Sequence, residues 1–162
     1  YNSDMKPSNY LEPDIFNHVV KHTPLIAIDI VAVENGRVLV GKRLNKPAKN
    51  FYFVPGGRIC KGERFDEAFK RISQGELGVE LTRDNCRFLG MYDHMYEDSA
   101  NDDNISTHYV VSAYTVDLDF DLLDIEKLQT QHSQVKMFSF EEILSSESVH
   151  ENTKAYIRKL QE

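Results

Sequence analysis

The stretch Val54–Glu80, V-P-G-G-R-I-C-K-G-E-R-F-D-E-A-F-K-R-I-S-Q-G-E-L-G-V-E, decides how the rest of the chain is read. Pro55-Gly56-Gly57 reads as a tight turn, Lys61-Gly62 closes a short loop, and a helix follows as far as Gly78. Phe65, Ala68, Phe69 and Ile72 recur at spacings of three and four, which lays one apolar stripe against a core. Gly78, just past Leu77, suits the left-handed position that closes a helix. Glu63, Glu67, Arg71 and Gln74 fall on other faces. The glycine turn can bring a backbone carbonyl close to a ligand or a metal.

Strand patterns lie on both sides of this element. Leu25 to Glu34 is β-rich, Asn35-Gly36 is a preferred hairpin turn, and Arg37 to Arg43 returns as the partner strand. Phe51 to Val54 is a short strand leading into the glycines. Arg87 to Glu97 and Thr107 to Leu118 read as longer strands, with a polar loop over Asp98 to Asn104. Val135 to Phe138 is the last. Pro13 to Val20 reads as a short helix ended by Thr23-Pro24. Ser139 is placed to cap a helix through Ile143-Leu144, and Asn152 one over Thr153 to Leu160. Asp119 to Ser133 is polar and irregular, a long mobile loop that Leu122-Leu123 could anchor. Strands before and after one central helix make an α/β or α+β sandwich.

Composition narrows the function. The 162 residues, 41% of them apolar, fit one domain with a sizeable core. Residues 1–12 read as an N-terminal extension, its first four ahead of Met5 a remnant of expression, before a single domain over 13–162. No apolar run approaches the roughly 18 residues of a membrane span, and no secretory leader is visible. Cys60 and Cys86 make neither a metal pattern nor a disulfide framework, so free thiols are expected. A net charge of −7 argues against nucleic acid as partner and obliges an anionic substrate to be held by local arginines and a cation.

The spacing resembles the Nudix box, G-x5-E-x7-R-E-U-x-E-E-x-G-U, where U is a bulky aliphatic. Gly57, Glu63, Arg71, Glu76, Gly78 and Val79 fall on their family positions. Ile72 and Gly75 stand where the family has glutamates, and Ser73 where it has an aliphatic. Glutamates at positions 72, 75 and 76 would share one helix face and gather several divalent ions, whose bound water attacks phosphorus. Glu76 alone suffices for one ion. Such an ion stabilises a leaving group better than it makes a nucleophile. The same depletion marks a branch of the family, the GDP-mannose mannosyl hydrolases, which break the sugar carbon–oxygen bond. The resemblance to it extends over T-P-L, G-K-R, F-V-P-G-G-R, T-H-Y-V-V, the Gln131-His132 pair and V-H-E-N-T-K-A-Y.

That resemblance implies a Nudix-type sandwich, a mixed β-sheet between helices, and a homodimer in a bacterial cytoplasm. It implies one Mg²⁺, with Mn²⁺ as a substitute, held by Glu76, the Gly56 carbonyl and Gln131, and His132 as general base. Arginine forks suit a diphosphate. Arg43 and Arg58 are the candidates for phosphate or the sugar end, and Arg71 for phosphate or for steadying the site beside Glu76. Each could instead be an ordinary surface pair. Tyr109 is a donor to phosphate or a buried core tyrosine. Asp29 interrupts the apolar run L-I-A-I-D-I-V-A-V, a costly place for a carboxylate unless it is paired. It either pairs with a neighbour such as Arg43 or, with His94, contacts sugar hydroxyls. The catalytic set is therefore His132, Arg43, Asp29, Arg58 and Arg71. The reaction implied is hydrolysis of GDP-mannose, and of GDP-glucose, to GDP and hexose with inversion. The alternatives are a conventional pyrophosphohydrolase and a non-catalytic nucleotide-sugar-binding module.

Overall fold

The computed structural model describes residues 10–131 and 134–162, with side chains 129–131 excepted. Helix α1 (Pro13–His22) leads into strand β1 (Leu25–Glu34), which turns through Asn35-Gly36 into β2 (Arg37–Lys42). Both turn residues have positive φ, 50° and 74°, the pairing that matches the twist of a two-residue hairpin. Two short strands, β3 (Tyr52–Phe53) and β4 (Gly56–Arg58), precede helix α2 (Phe65–Leu77), which ends on Gly78 at φ 73°. Strands β5 (Arg87–Tyr96) and β6 (Thr107–Asp117) follow, then α3 (Ile125–Gln131), β7 (Val135–Ser139), α4 (Phe140–Ser145) and α5 (Glu151–Leu160).

All seven strands join one mixed sheet in the order β3-β2-β1-β6-β5, with β4 on β1 and β7 on β2. Strands β1 and β6 run parallel along the centre, and the other pairs are antiparallel. Because side chains alternate across a strand, β1 feeds two cores. Ile28, Ile30 and Ala32 pack with Ala68, Phe69, Ile72 and Leu77 of α2. Val31 lies opposite, among Val38, Val40, Ala113, Ile143, Tyr156 and Ile157. Asp29 shares the parity of Val31 and so faces α5. No helix of the described residues is long and apolar enough to cross a membrane.

Three sequence expectations are corrected. Gly56 and Gly57, read with Pro55 as a tight turn, belong to strand β4 and pair with β1. The segment read as a loop over Asp119 to Ser133 contains a 3-10 turn, Phe120–Leu122, and α3. Phe120, Leu123 and Leu128 are buried in the α2-side core, and the acids that looked like loop residues are local caps. Asp119 Oδ1 accepts from the Asp121 N–H, and Asp124 Oδ1 from the Lys127 N–H, both at 3.0 Å. The last helix begins at Glu151, two residues earlier than read, and its cap is His150, not Asn152: Nδ1 accepts from the Asn152 N–H at 3.1 Å. Ser139 caps α4 as expected, accepting from the Glu142 N–H.

Candidate functional site

At one end of the sheet a pocket of ≈ 350 Å³ is lined by Asp29, Arg43, Gly56, Arg58, Glu76, His94 and Tyr109. Seven of the residues singled out in the sequence thus converge from β1, β4, α2, β5, β6 and the end of β2. Arg71 does not line it. Gln131's side chain and His132 lie outside the described residues.

Strand β4 builds the floor. The Ile30 N–H donates to the Pro55 carbonyl at 2.8 Å and the Ile59 N–H to the Ile26 carbonyl at 2.9 Å, with Asp29 opposite Gly56. Alternation in an antiparallel ladder therefore turns the Gly56 carbonyl away from β1. A Cβ at 56 would stand 2.1 Å from Asp29 Oδ1 and 2.8 Å from the Ile28 carbonyl oxygen, so only glycine fits there. A Cβ at 57 would meet Ile72 Cγ1 at 3.1 Å, so the second glycine packs β4 onto α2.

Helix α2 offers little charge to the pocket. Ile72, at a family glutamate position, is 2% exposed and sits in the core. Ser73 is fully buried; its hydroxyl donates to the Lys70 carbonyl and accepts from the Leu81 N–H at 2.9 Å, pulling the chain after Gly78 back onto the helix. Glu67 closes the helix N-terminus, accepting from the Arg64 N–H at 2.8 Å. Glu63 is held bidentately by Arg71, at 2.7 Å from Nε and 2.8 Å from Nη2, and also accepts from the Cys60 N–H. Arg71 Nη2 donates further to the Arg58 carbonyl at 2.8 Å. Arg71 is thus a bracket between the glycine loop and the helix, ion-paired with Glu63. Glu76 remains the carboxylate of α2 that lines the pocket. Among the described residues no three His, Cys, Asp or Glu side chains cluster as metal ligands. One carboxylate and one outward carbonyl are oxygen donors of the kind a single hard cation takes.

The wall facing α5 is a hydrogen-bonded chain. The Tyr156 hydroxyl donates to Asp29 Oδ2 at 2.6 Å and lies 3.2 Å from His94 Nε2. Burial pushes the Asp29 carboxyl up to about 7; the Tyr156 bond and the Arg43 charge oppose this, while Glu76 adds to it. Burial, aided by His150 and opposed by Asp93, takes His94 down to about 4, so it is neutral at ordinary pH. The Tyr109 hydroxyl is pushed up by burial against the pull of Arg43 and Arg58, and so stays a protonated donor. Arg58 lies over the Phe16 ring, 4.9 Å from its centroid, and Arg43 over Phe53 at 5.8 Å, leaving flat cations along the pocket. At the rim Lys46 pairs with Asp103, tying the loop after β2 to the loop after β5.

Sequence reasoning missed Tyr156, Phe53 and Tyr96. The V-H-E-N-T-K-A-Y stretch was a signal for the first of these, but its partners are far away in the chain.

Comparison with known proteins agrees with this fold. The NUDIX domain model matches residues 23–160. The chain is 38% identical over 133 residues to the low-salt glycan biosynthesis protein Agl8 of Haloferax volcanii, covering 82% of each. Over 56 residues, about a third of each chain, it is 34% identical to an ADP-ribose pyrophosphatase of Methanocaldococcus jannaschii. Among solved structures it resembles a MutT NUDIX hydrolase of Burkholderia pseudomallei, with TM-score 0.64, 21% identity, and coverage of 86% of this chain and 99% of that one. A MutT protein of Methanosarcina mazei gives TM-score 0.66 at 16% identity, covering 86% of this chain and 95% of that one.

Proposed function

The chain belongs to the Nudix family, and from that premise we propose that it hydrolyses GDP-mannose, and GDP-glucose, to GDP and free hexose. Water attacks the anomeric carbon and inverts it. The observation that carries this reading is the pocket-side face of α2: Ile72 belongs to the core, Gly75 has no side chain, and of the helix's carboxylates Glu76 is the one that lines the pocket. Glu63 and Glu67 are committed to Arg71 and to the helix N-terminus. Several ions cannot be gathered on such a face, so activation of water against phosphorus lacks its usual support.

Nudix hydrolases act on nucleotide derivatives and generally use Mg²⁺ or Mn²⁺. Here Glu76, the Gly56 carbonyl and Gln131 would hold one such ion, which supplies charge neutralisation at the departing β-phosphate. Arg43 and Arg58 add fixed positive charge to the same oxygens, and Tyr109 a neutral hydrogen bond. Asp29 and His94 take the sugar hydroxyls. His132, carried over from the sequence, removes the proton from the attacking water. A homodimer in a bacterial cytoplasm accompanies the reading through the same resemblance. The match to a glycan biosynthesis protein supports an activated sugar as substrate. The shorter match to an ADP-ribose pyrophosphatase favours the conventional route.

Product analysis by ³¹P spectroscopy separates them. With GDP-mannose and Mg²⁺ the proposal expects GDP and mannose. GMP with mannose 1-phosphate would establish the pyrophosphohydrolase, and binding without turnover the binding module.

A further inference from the structure

The last helix reaches the pocket through three side chains. The His150 ring caps α5 and stacks on Phe53, their centroids 4.9 Å apart. Asn152 Nδ2 donates to the Tyr96 hydroxyl at 3.0 Å. Four residues on, and so on the same helix face, Tyr156 is fully buried and bridges Asp29 and His94. Phe53, Tyr96, Asp29 and His94 all line the pocket.

A phenol carries one proton and can accept as well as donate. With Asp29 ionised, the 2.6 Å contact sends that proton to its carboxylate, the stronger acceptor. The Tyr156 oxygen then accepts from His94, which must carry its own proton on Nε2. The relay runs one way, from His94 through Tyr156 to Asp29. It leaves His94 Nδ1 and Asp29 Oδ1 as acceptors, which is what the hydroxyls of a sugar require.

We infer that Tyr156 is a positioning residue: its hydroxyl orients the Asp29 carboxylate and the His94 imidazole as paired acceptors for the hexose, and so governs recognition of the sugar rather than of the nucleoside diphosphate. The inference rests on the reading of the pocket as a nucleotide-sugar site. Tyr156→Phe removes only the oxygen, since the ring keeps its edge contact with Tyr92, centroids 4.9 Å apart.

The test compares kcat/KM for GDP-mannose with the Kd for GDP, which lacks the sugar. The variant is expected to lose about 10- to 100-fold in kcat/KM, with its Kd for GDP within about twofold of wild type. A smaller fall in kcat/KM, or an equal loss of GDP affinity, overturns the assignment. ¹⁵N spectroscopy of His94 in the wild-type protein decides independently of the variant's folding. The Nε2–H tautomer is expected, and Nδ1–H would break the relay and overturn it. If the wild-type protein yields no hexose, it is the functional reading that fails, while the tautomer still reports on the relay.

Discussion

Replacing Arg71 by alanine removes two hydrogen bonds to the Glu63 carboxylate and one to the Arg58 carbonyl. Both ion-pair side chains are only 12% exposed, so the abandoned carboxylate keeps little water in exchange. Breaking a buried pair from one side costs about 3 kcal/mol or more, and this one, at the edge of the loop, belongs at about 2–3 kcal/mol. For a chain of this size that is a fall of roughly 5–10 °C in Tm. Burial works to raise the Glu63 pKa, but the Arg71 bonds and the Cys60 N–H outweigh it and hold it low. A carboxyl depressed in the folded state contributes stability above its unfolded pKa and loses it as pH falls through the folded one. The gap between wild type and variant should therefore be full at pH 7 and close as pH drops below about 4.5. Urea unfolding at pH 7, 5 and 3.5 measures it. A gap under about 0.5 kcal/mol at pH 7, the scale of a surface pair, or one unchanged at pH 3.5, would refute the bracket. Glu63→Ala should add little on top of Arg71→Ala, since the two remove one interaction.

Gly56→Ala places a methyl carbon 2.1 Å from Asp29 Oδ1 and 2.8 Å from the Ile28 carbonyl oxygen; it should cut turnover at least 100-fold and lower Tm, and wild-type turnover would disprove the close approach. Leu128→Ala, in the segment that reads as a loop, should cost about 2–5 kcal/mol in urea unfolding, as a packed leucine does; a cost near zero would mean that α3 is not docked. Asp29 titrates in the opposite sense to Glu63. Its raised folded pKa makes the folded state the better proton binder between the ordinary carboxyl value and about 7. Stability should fall as pH climbs through that interval, by up to ~4 kcal/mol, and Asp29→Asn should flatten the slope. An unchanged slope in metal-free buffer contradicts the burial argument.

Much of this architecture was legible because its signals are local. The β-rich apolar run of Leu25 to Glu34, the Asn35-Gly36 turn and the spacing of Ala68, Phe69 and Ile72 each state a conformation within one element. The segment after β6 was not, because Leu123, Ile125 and Leu128 are too few to set a period and the aspartates that cap it look like loop residues. His150 was passed over as a cap because Asn152 is the commoner capping residue. Gly56, Arg58 and Glu76 were named within the glycine–helix stretch, whereas Asp29, Arg43, His94 and Tyr109 were named from the wider resemblance and from their chemistry; the fold brings all seven to one pocket. Arg71 did not join them: a carboxylate eight residues away, brought close by the folding of the glycine loop, holds it outside. Tyr156 meets Asp29 across 127 residues, a distance over which no sequence pattern speaks.

The central claim is that the carboxylate-poor face of α2 moves the attack from phosphorus to carbon. Hydrolysis of GDP-mannose in ¹⁸O-labelled water measures this directly. The account predicts that the heavy oxygen appears in the released hexose and that GDP carries none. Label in a phosphate group of either product would contradict it.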